Sequence, residues 1–377
     1  MKKKRENKTK GKGIMILISI LIGAACGVMG AHFLNVKKMS LQELGNTMVW
    51  TVLFFYAAIL IQIVIHETGH LVFGLLTGYK FLSFRILGMM WMKRDGRMVL
   101  RHMRIPGTGG QCLMGPPDMK DGKIPVKLYL MGGAIFNAVS ALLFLVLALV
   151  CPIVRLGKVF LFFLAACGAG TAILNGVPLR LAMVNNDGKN ALELTKNPEA
   201  QRALWIQLKV LEQTAKGVRV AQMPADWFVV PSDEAMKNAI IATIGVLAAN
   251  RLMDQQRFEE ADALMAHLTA IDSGIVGLHR NLMLCDRIYI ALAMKNAPEE
   301  AKALMTKEVV KIMKVMRNYP SALRTAYTYA LLVEKNKAKA DEIYLRFQKC
   351  MKTYPYPVEL LTEQELVEKV AAQIVPE

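Results

Sequence analysis

The sequence predicts a mainly α protein. It has a polytopic membrane helical core of about four spans, a small interfacial β-hairpin, and a C-terminal cytoplasmic helical repeat-like domain. Three observations predict it. Four apolar stretches are each long enough for the ~20 helical residues that cross a ~30 Å hydrocarbon core: Ile14–Leu34, Met48–Gly78, Leu128–Val154 and Val159–Met183. Between the second and third lies a segment, residues 79–127, that mixes basic with apolar residues. After Lys189 span character ends and a short helical pattern recurs. Composition agrees, because 54% hydrophobic residues over 377 and a mean hydropathy of +0.32 fit a membrane protein with a sizeable soluble part.

Residues 1–13 form a basic tail with Lys2, Lys3, Lys4, Arg5, Lys8, Lys10 and Lys12. The apolar stretch that follows is too long for a signal h-region and has no clear small-residue cleavage site, so it reads as a retained span. The segment 79–127 carries 10 Lys and Arg from Lys80 to Lys127. The two remaining loops carry only Lys37 with Lys38, and Arg155 with Lys158. The positive-inside rule then places the tail and 79–127 in the cytoplasm. Four spans bring both termini to that side of a cell membrane. The net charge of +17 is accordingly a signal of topology and of contact with an anionic lipid bilayer. No basic stripe with interleaved aromatics supports a nucleic-acid partner. The six cysteines form no close pairs and three lie in spans, which argues against a disulfide framework and against a Cys-type zinc site.

The second stretch contains His66-Glu67-Thr68-Gly69-His70. On a helix the two histidines are one turn apart on one face and can share a zinc ion. Glu67 can serve a metal-bound water as general base. In a soluble helix such a five-residue match often means nothing. Inside a span a glutamate costs about 2.5 kcal/mol or more, so chance explains it poorly. His66 lies roughly 27 Å along its stretch at about 1.5 Å per residue, in the cytoplasmic half.

Within 79–127, the apolar run Phe81–Met92, the turn Lys93-Arg94-Asp95-Gly96 and the return Arg97–Ile105 read as a β-hairpin at the membrane interface. A re-entrant loop is the alternative. Gly107–Pro117, rich in Gly and Pro, reads as a loop. At the end of the fourth stretch, Asn175-Gly176-Val177-Pro178 breaks the helix, and Arg180 is read as reaching for the interface. Asn185-Asn186-Asp187-Gly188 follows. Asn-Asp-Gly alone is an ordinary turn. Its place at a depth comparable to His70 makes Asp187 the third candidate ligand beside His66 and His70, leaving one position open for water.

These motifs together resemble the site-2 protease family of intramembrane zinc metalloproteases. The likeness covers residues 47–195. It implies that Asp187 completes the zinc site with His66 and His70, and that Glu67 is catalytic. Gly132-Gly133-Ala134-Ile135-Phe136-Asn137 looks like the family's Gly-x-x-x-Asn element, without its usual proline. The resemblance implies a substrate-binding or oxyanion role for Asn137. Simple interhelical packing by Gly132 and Gly133, with Asn137 as polar glue, is the other reading. In the family a sheet edge in the segment after the second span pairs with unwound substrate.

Residues 14–188 are thus the expected membrane core, with 189–231 a linker and helix. Residues 232–377 form the repeat-like domain. Glu259–Met265 is echoed at Glu299–Met305 and, weakly, at Lys339–Ile343. Tyr319-Pro320 recurs at Tyr354-Pro355. Stacked helical hairpins similar to tetratricopeptide repeats fit this, with a protein partner as their role. A compact helical domain without a partner is the alternative. His267 and His279 carry no ligand pattern. The expected activity is Zn2+-dependent cleavage of a membrane-protein or peptide substrate. The rivals are a membrane-anchored scaffold with a relict metal site and a membrane zinc enzyme for non-peptide substrates.

Overall fold

The computed structural model describes residues 13, 16–18, 20–28, 30–32, 39–94, 96–104, 108–179 and 185–373. The chain divides into two compact units, one of Met1–Leu87 with Thr108–Gln201 and one of Gly88–Gly107 with Arg202–Glu377.

In the first unit α1 (Ile16–His32) is a shorter apolar helix. Three helices are long and apolar enough to cross a membrane among the described residues: α2 (Leu41–Leu76), α3 (Val126–Val150) and α4 (Arg155–Gly176). The sequence reading expects four. Its first span, Ile14–Leu34, corresponds to α1, whose flanks lie outside the described residues. The fourth expected span ran to Met183, but α4 stops at Gly176, and Arg180 to Val184 lie outside the described residues. The stop has a local cause. Pro178 forces the preceding Val177 into an extended conformation (φ −74°, ψ 128°).

A capping box starts α2. The Ser40 hydroxyl accepts from the Glu43 N–H, and the Glu43 carboxylate accepts from the Ser40 N–H at 2.9 Å. The helix then presents two kinds of surface. Met48, Val49, Trp50, Leu53 and Leu76 are half-exposed or more, a face suited to lipid. Ala58, Gln62, His66, His70 and Gly74 recur every four residues and are buried, with Glu67 and Gly69 beside them. The pattern is inverted from a soluble helix: its polar groups point inward.

Contact between α2 and α3 is main chain to main chain. A Cβ on Gly69 would lie 2.2 Å from the Gly132 carbonyl oxygen, and one on Gly132 would lie 2.4 Å from that of Gly69. Small residues permit this approach, as in many helix pairs within membranes.

Past α2, β1 (Lys80–Ile86) and β4 (Gly110–Gly115) pair antiparallel, from Lys80↔Gly115 to Ile86↔Gly110. The sequence reading made Gly107–Pro117 a loop. Gln111 to Met114 instead alternate across a strand, with Cys112 and Met114 buried. The run is short and framed by Gly and Pro, so its period-two signal is easily missed. After α4 comes α5 (Asp187–Leu194), and then α6 (Pro198–Ala215), which belongs to the second unit from Arg202 on.

In the second unit β2 (Met89–Arg94) pairs antiparallel with β3 (Arg97–His102). Gly96 at the turn has φ +77°, which glycine adopts without strain. Each unit thus holds one antiparallel strand pair, β1 with β4 and β2 with β3. The sequence reading placed two strands here, and the segment carries four. Met90 and Met92 are buried against Tyr356. The helices α7 (Ala239–Asp254) and α8 (Phe258–Ala270), α9 (Gly277–Ala293) and α10 (Pro298–Leu304), and α12 (Pro320–Leu332) and α13 (Lys337–Thr353) follow as successive pairs. α11 (Lys307–Val315) lies between the last two pairs, and α14 (Pro357–Ala372) ends the unit. The turns inside the three pairs each hold one left-handed residue: Gln256, Asn296 and Lys335. The echo seen in the sequence falls just after each of them. Their core joins Met265, Tyr289, Leu323, Phe347 and Leu366.

The glycine contact generates a prediction of opposite signs along one helix. Gly69→Ala forces backbone against backbone and should lower stability by about 3 kcal/mol or more, beyond ordinary overpacking. Gly45→Ala, with nothing within 4 Å of its added methyl, should raise stability by roughly 0.5–1 kcal/mol. Thermal unfolding of both variants in detergent checks this. Equal effects would dismiss the contact.

Candidate metal centre

His66 and His70 project from consecutive turns of α2 into the space between α3 and the start of α5. Their Nε2 atoms are 3.1 Å apart. Asp187 Oδ2 lies 3.1 Å from His66 Nε2 and 3.4 Å from His70 Nε2. Ligands at about 2.05 Å around a tetrahedral ion are separated by about 3.3 Å. The three atoms are therefore spaced as three corners of such a tetrahedron.

Proton placement supports the same conclusion. His70 Nδ1 is 2.8 Å from the Tyr129 carbonyl oxygen, so it must carry the proton. His66 Nδ1 is 2.7 Å from Asn137 Oδ1. Which end of Asn137 faces the ring is fixed further back. The Asn137 amide nitrogen donates to the Gln62 carbonyl at 3.0 Å and to Gln62 Oε1 at 2.7 Å. The Gln62 amide nitrogen donates to the Leu164 carbonyl at 2.9 Å. The Leu164 carbonyl thus orients Gln62, Gln62 orients Asn137, and Asn137 puts the proton on His66 Nδ1. Both Nε2 lone pairs then face a carboxylate oxygen. Three acceptors in contact repel one another unless a cation sits among them, so the donor set fits a divalent metal.

The supporting residues have small neighbours. A Cβ on Gly133 would lie 2.4 Å from the His66 ring, and one on Gly168 would lie 2.8 Å from the Gln62 amide. Both glycines make room for the polar chain. Asn137 is fully buried with both amide hydrogens used, which leaves neither donor for a substrate.

Asp187 is set by Asn186. The Asn186 side-chain oxygen accepts from the N–H groups of Leu179 and Lys189, at 3.0 and 2.9 Å. Its amide nitrogen donates to the carbonyls of Leu174 and Val177. One buried side chain thus caps α5, ties down the broken end of α4 and holds the next residue in place. Gly188 completes the fit, since a Cβ there would meet the Gly176 carbonyl at 2.2 Å.

Glu67 is buried beside the histidines, and β4 begins against it. A Cβ on Gly110 would lie 2.6 Å from Glu67 Oε1. Nearby Cys112 is no rival nucleophile, because burial and then Glu67 push its thiol up to about 12.

The structure brings together all four residues His66, Glu67, His70 and Asp187, and joins Asn137 to them through His66. Sequence reasoning missed Gln62 and the positioning role of Asn186. Gln62 had a signal: an amide inside an apolar helix, one turn before His66 on its face. Among the described residues, His66, His70 and Asp187 form the one group of three His, Cys, Asp or Glu donors able to hold a metal ion.

A family model described as peptidase family M50, the site-2 protease family, matches residues 54–339. No curated protein and no solved structure matches the chain.

Purified protein should hold about one divalent metal per chain, read by elemental analysis. His66→Ala or Asp187→Ala should abolish most of it, while Glu67→Gln should keep it. Asn137→Ala should weaken metal affinity by about 10–100-fold. Full occupancy in Asp187→Ala would remove that residue from the ligand set.

Proposed function

Since the chain belongs to peptidase family M50, whose members are membrane metalloproteases, we propose that it is an intramembrane zinc endopeptidase. It cuts transmembrane or membrane-inserted segments near the cytoplasmic face. One observation carries this reading: an intact carboxylate, Glu67, lies inside an apolar helix beside a complete set of metal donors.

Zinc held by His66, His70 and Asp187 would polarise the scissile carbonyl and acidify a water. Glu67 takes that water's proton and later delivers it to the leaving amine. Asn137 acts as a positioning residue for His66, and Gln62 as one for Asn137. The substrate arrives as a helix whose carbonyls are shielded by its own hydrogen bonds. It must unwind, and unwound backbone in a membrane needs partners. β4 pairs with β1 along one side. A substrate strand added along its other side would satisfy the main chain and run past Glu67, where Gly110 leaves space. The relict-scaffold rival is disfavoured by the intact Glu67 and the matched donor spacing.

Position along α2 favours a cut on the side of its C-terminal end, since His66 is 25 residues from the start at Leu41. His66 is ten residues from the end of α2 at Leu76, or about 15 Å. That end leads into the basic segment 79–127, which the positive-inside rule assigns to the cytoplasm along with both termini.

Two outcomes follow. Membranes carrying the active chain, compared with Glu67→Gln by terminal proteomics, should contain new termini inside apolar segments near their Lys/Arg-rich flank. New termini confined to soluble regions would refute intramembrane cleavage. Single cysteines near Lys8, Arg97 and Lys352, in a cysteine-free background, should resist impermeant thiol reagents in intact cells. Labelling at Arg97 from outside would invert the topology.

A further inference from the structure

The second unit contains a cavity of about 480 Å³ that no part of the proteolytic site uses. It is within the ~300–1,000 Å³ range of ligand pockets. Its walls come from α6, α7, α9, α12 and α14, so the first helix of each of the three pairs contributes a face. Its lining is mixed. Leu247, Leu282 and Val358 give it apolar ground, while Asn250, Ser321 and Thr362 offer amide and hydroxyl groups.

Charge is what singles it out. Asp286 and Glu363 share one guanidinium, that of Arg324, with Glu363 at 2.9 Å. Arg324 itself is fully buried and lies over the Tyr289 ring. Glu359 receives only the Tyr354 hydroxyl, at 2.8 Å, and no cation pairs with it among the described residues. Asp254 is held by Arg219 at 2.7 Å. The cavity thus has four carboxylates against two guanidinium groups. His279 adds no balancing charge, because burial lowers its pKa and keeps it neutral. Burial pushes Glu363 up to about 7 against the pull of Arg324, and raises Asp286 and Glu359 as well. Burial is the first cause in each case, and the one guanidinium that Asp286 and Glu363 share offsets it only in part. These carboxylates gather in a chain whose net charge is +17.

We propose that this cavity binds a lysine- or arginine-bearing polypeptide segment of another protein, with Asp286, Glu359 and Glu363 receiving the cation. A polypeptide fits better than a small amine, because amide and hydroxyl groups line the cavity together with apolar side chains. The class of partner rests on the proteolytic reading: membrane proteins carry Lys and Arg on their cytoplasmic flanks. The cavity would then recruit a substrate by the flank beside its cleaved segment.

The test uses the full chain in detergent, as Glu67→Gln, with binding read by fluorescence anisotropy. Probes are a labelled short lysine-containing peptide and an acidic peptide of matched length. The lysine peptide should bind saturably and more weakly as salt rises, and the acidic one should not bind. Because the chain as a whole repels a cation, such binding reports a local acidic site. Glu359→Gln combined with Glu363→Gln should weaken it at least about tenfold. Asn250→Lys should do the same from the exposed mouth without touching the buried ion pairs, so the test survives if the carboxylate variant fails to fold. Equal binding of both peptides, or unchanged affinity in Asn250→Lys, overturns the proposal. So does tenfold tighter binding once the lysines of residues 2–12 are replaced, which would make the chain's own basic tail the occupant. No catalytic turnover enters the measurement, so failure here leaves the protease reading standing, and loss of proteolysis would remove only the identification of the bound segment as a substrate's flank.

Discussion

The metal-donor half of this protein depends on two helices touching main chain to main chain at Gly69 and Gly132. Gly69 sits between His66 and His70. Gly132 sits between Tyr129 and Asn137. Closing the distance at the glycines therefore brings a carbonyl to one imidazole and an amide oxygen to the other, at 2.8 and 2.7 Å. A side chain at either glycine would separate the helices and break both hydrogen bonds together. Without those bonds the imidazoles could rotate or exchange tautomers, and the convergence of their Nε2 atoms would be lost. The glycines provide the geometry on which the polar groups depend.

The third donor is placed by a different device. Asp187 is not on a spanning helix at all. It opens α5, after a break that Pro178 imposes and Asn186 stabilises. A broken helix end leaves carbonyls without partners, which a membrane interior penalises strongly. Asn186 answers two of them, those of Leu174 and Val177, with one amide. The same residue caps the helix that carries Asp187. The break is thus a structural cost and also the means by which a carboxylate reaches two histidines on another helix.

Much of this was legible in the sequence, for physical reasons that differ from residue to residue. His66, Glu67 and His70 stand out because ionisable groups are expensive in an apolar helix. Asp187 could be reached only by combining a helix-breaking proline with a count of depth. Asn137 was visible as a polar residue in a span, but its hydrogen-bond partners are fixed by rotation about α3 and by Gln62, which no spacing rule gives. β4 was hidden because four alternating residues between glycines and prolines look like a loop. The echo near residues 259, 299 and 339 was legible since each copy follows a tight turn with a left-handed residue. What the helices of those pairs enclose was not legible, because carboxylates from α9 and α14 are far apart in the chain and meet only after folding.

The two units use buried polarity in opposite ways. Around His66 and His70, nearly every proton has an assigned acceptor, and the unsatisfied lone pairs point to one place. This is the arrangement expected of a preorganised metal site, in which donor geometry is set before the ion arrives. Around Arg324 the balance is left incomplete: Asp286 and Glu363 share a single buried guanidinium, and Glu359, which lines the same cavity, has a hydroxyl where a charge would serve better. A buried ion pair of this kind adds little to stability and is easily replaced by apolar packing. Its place beside an open cavity fits the proposal that the missing positive charge comes from outside. On that argument the first unit is specific through what it holds fixed, and the second through what it leaves uncompensated.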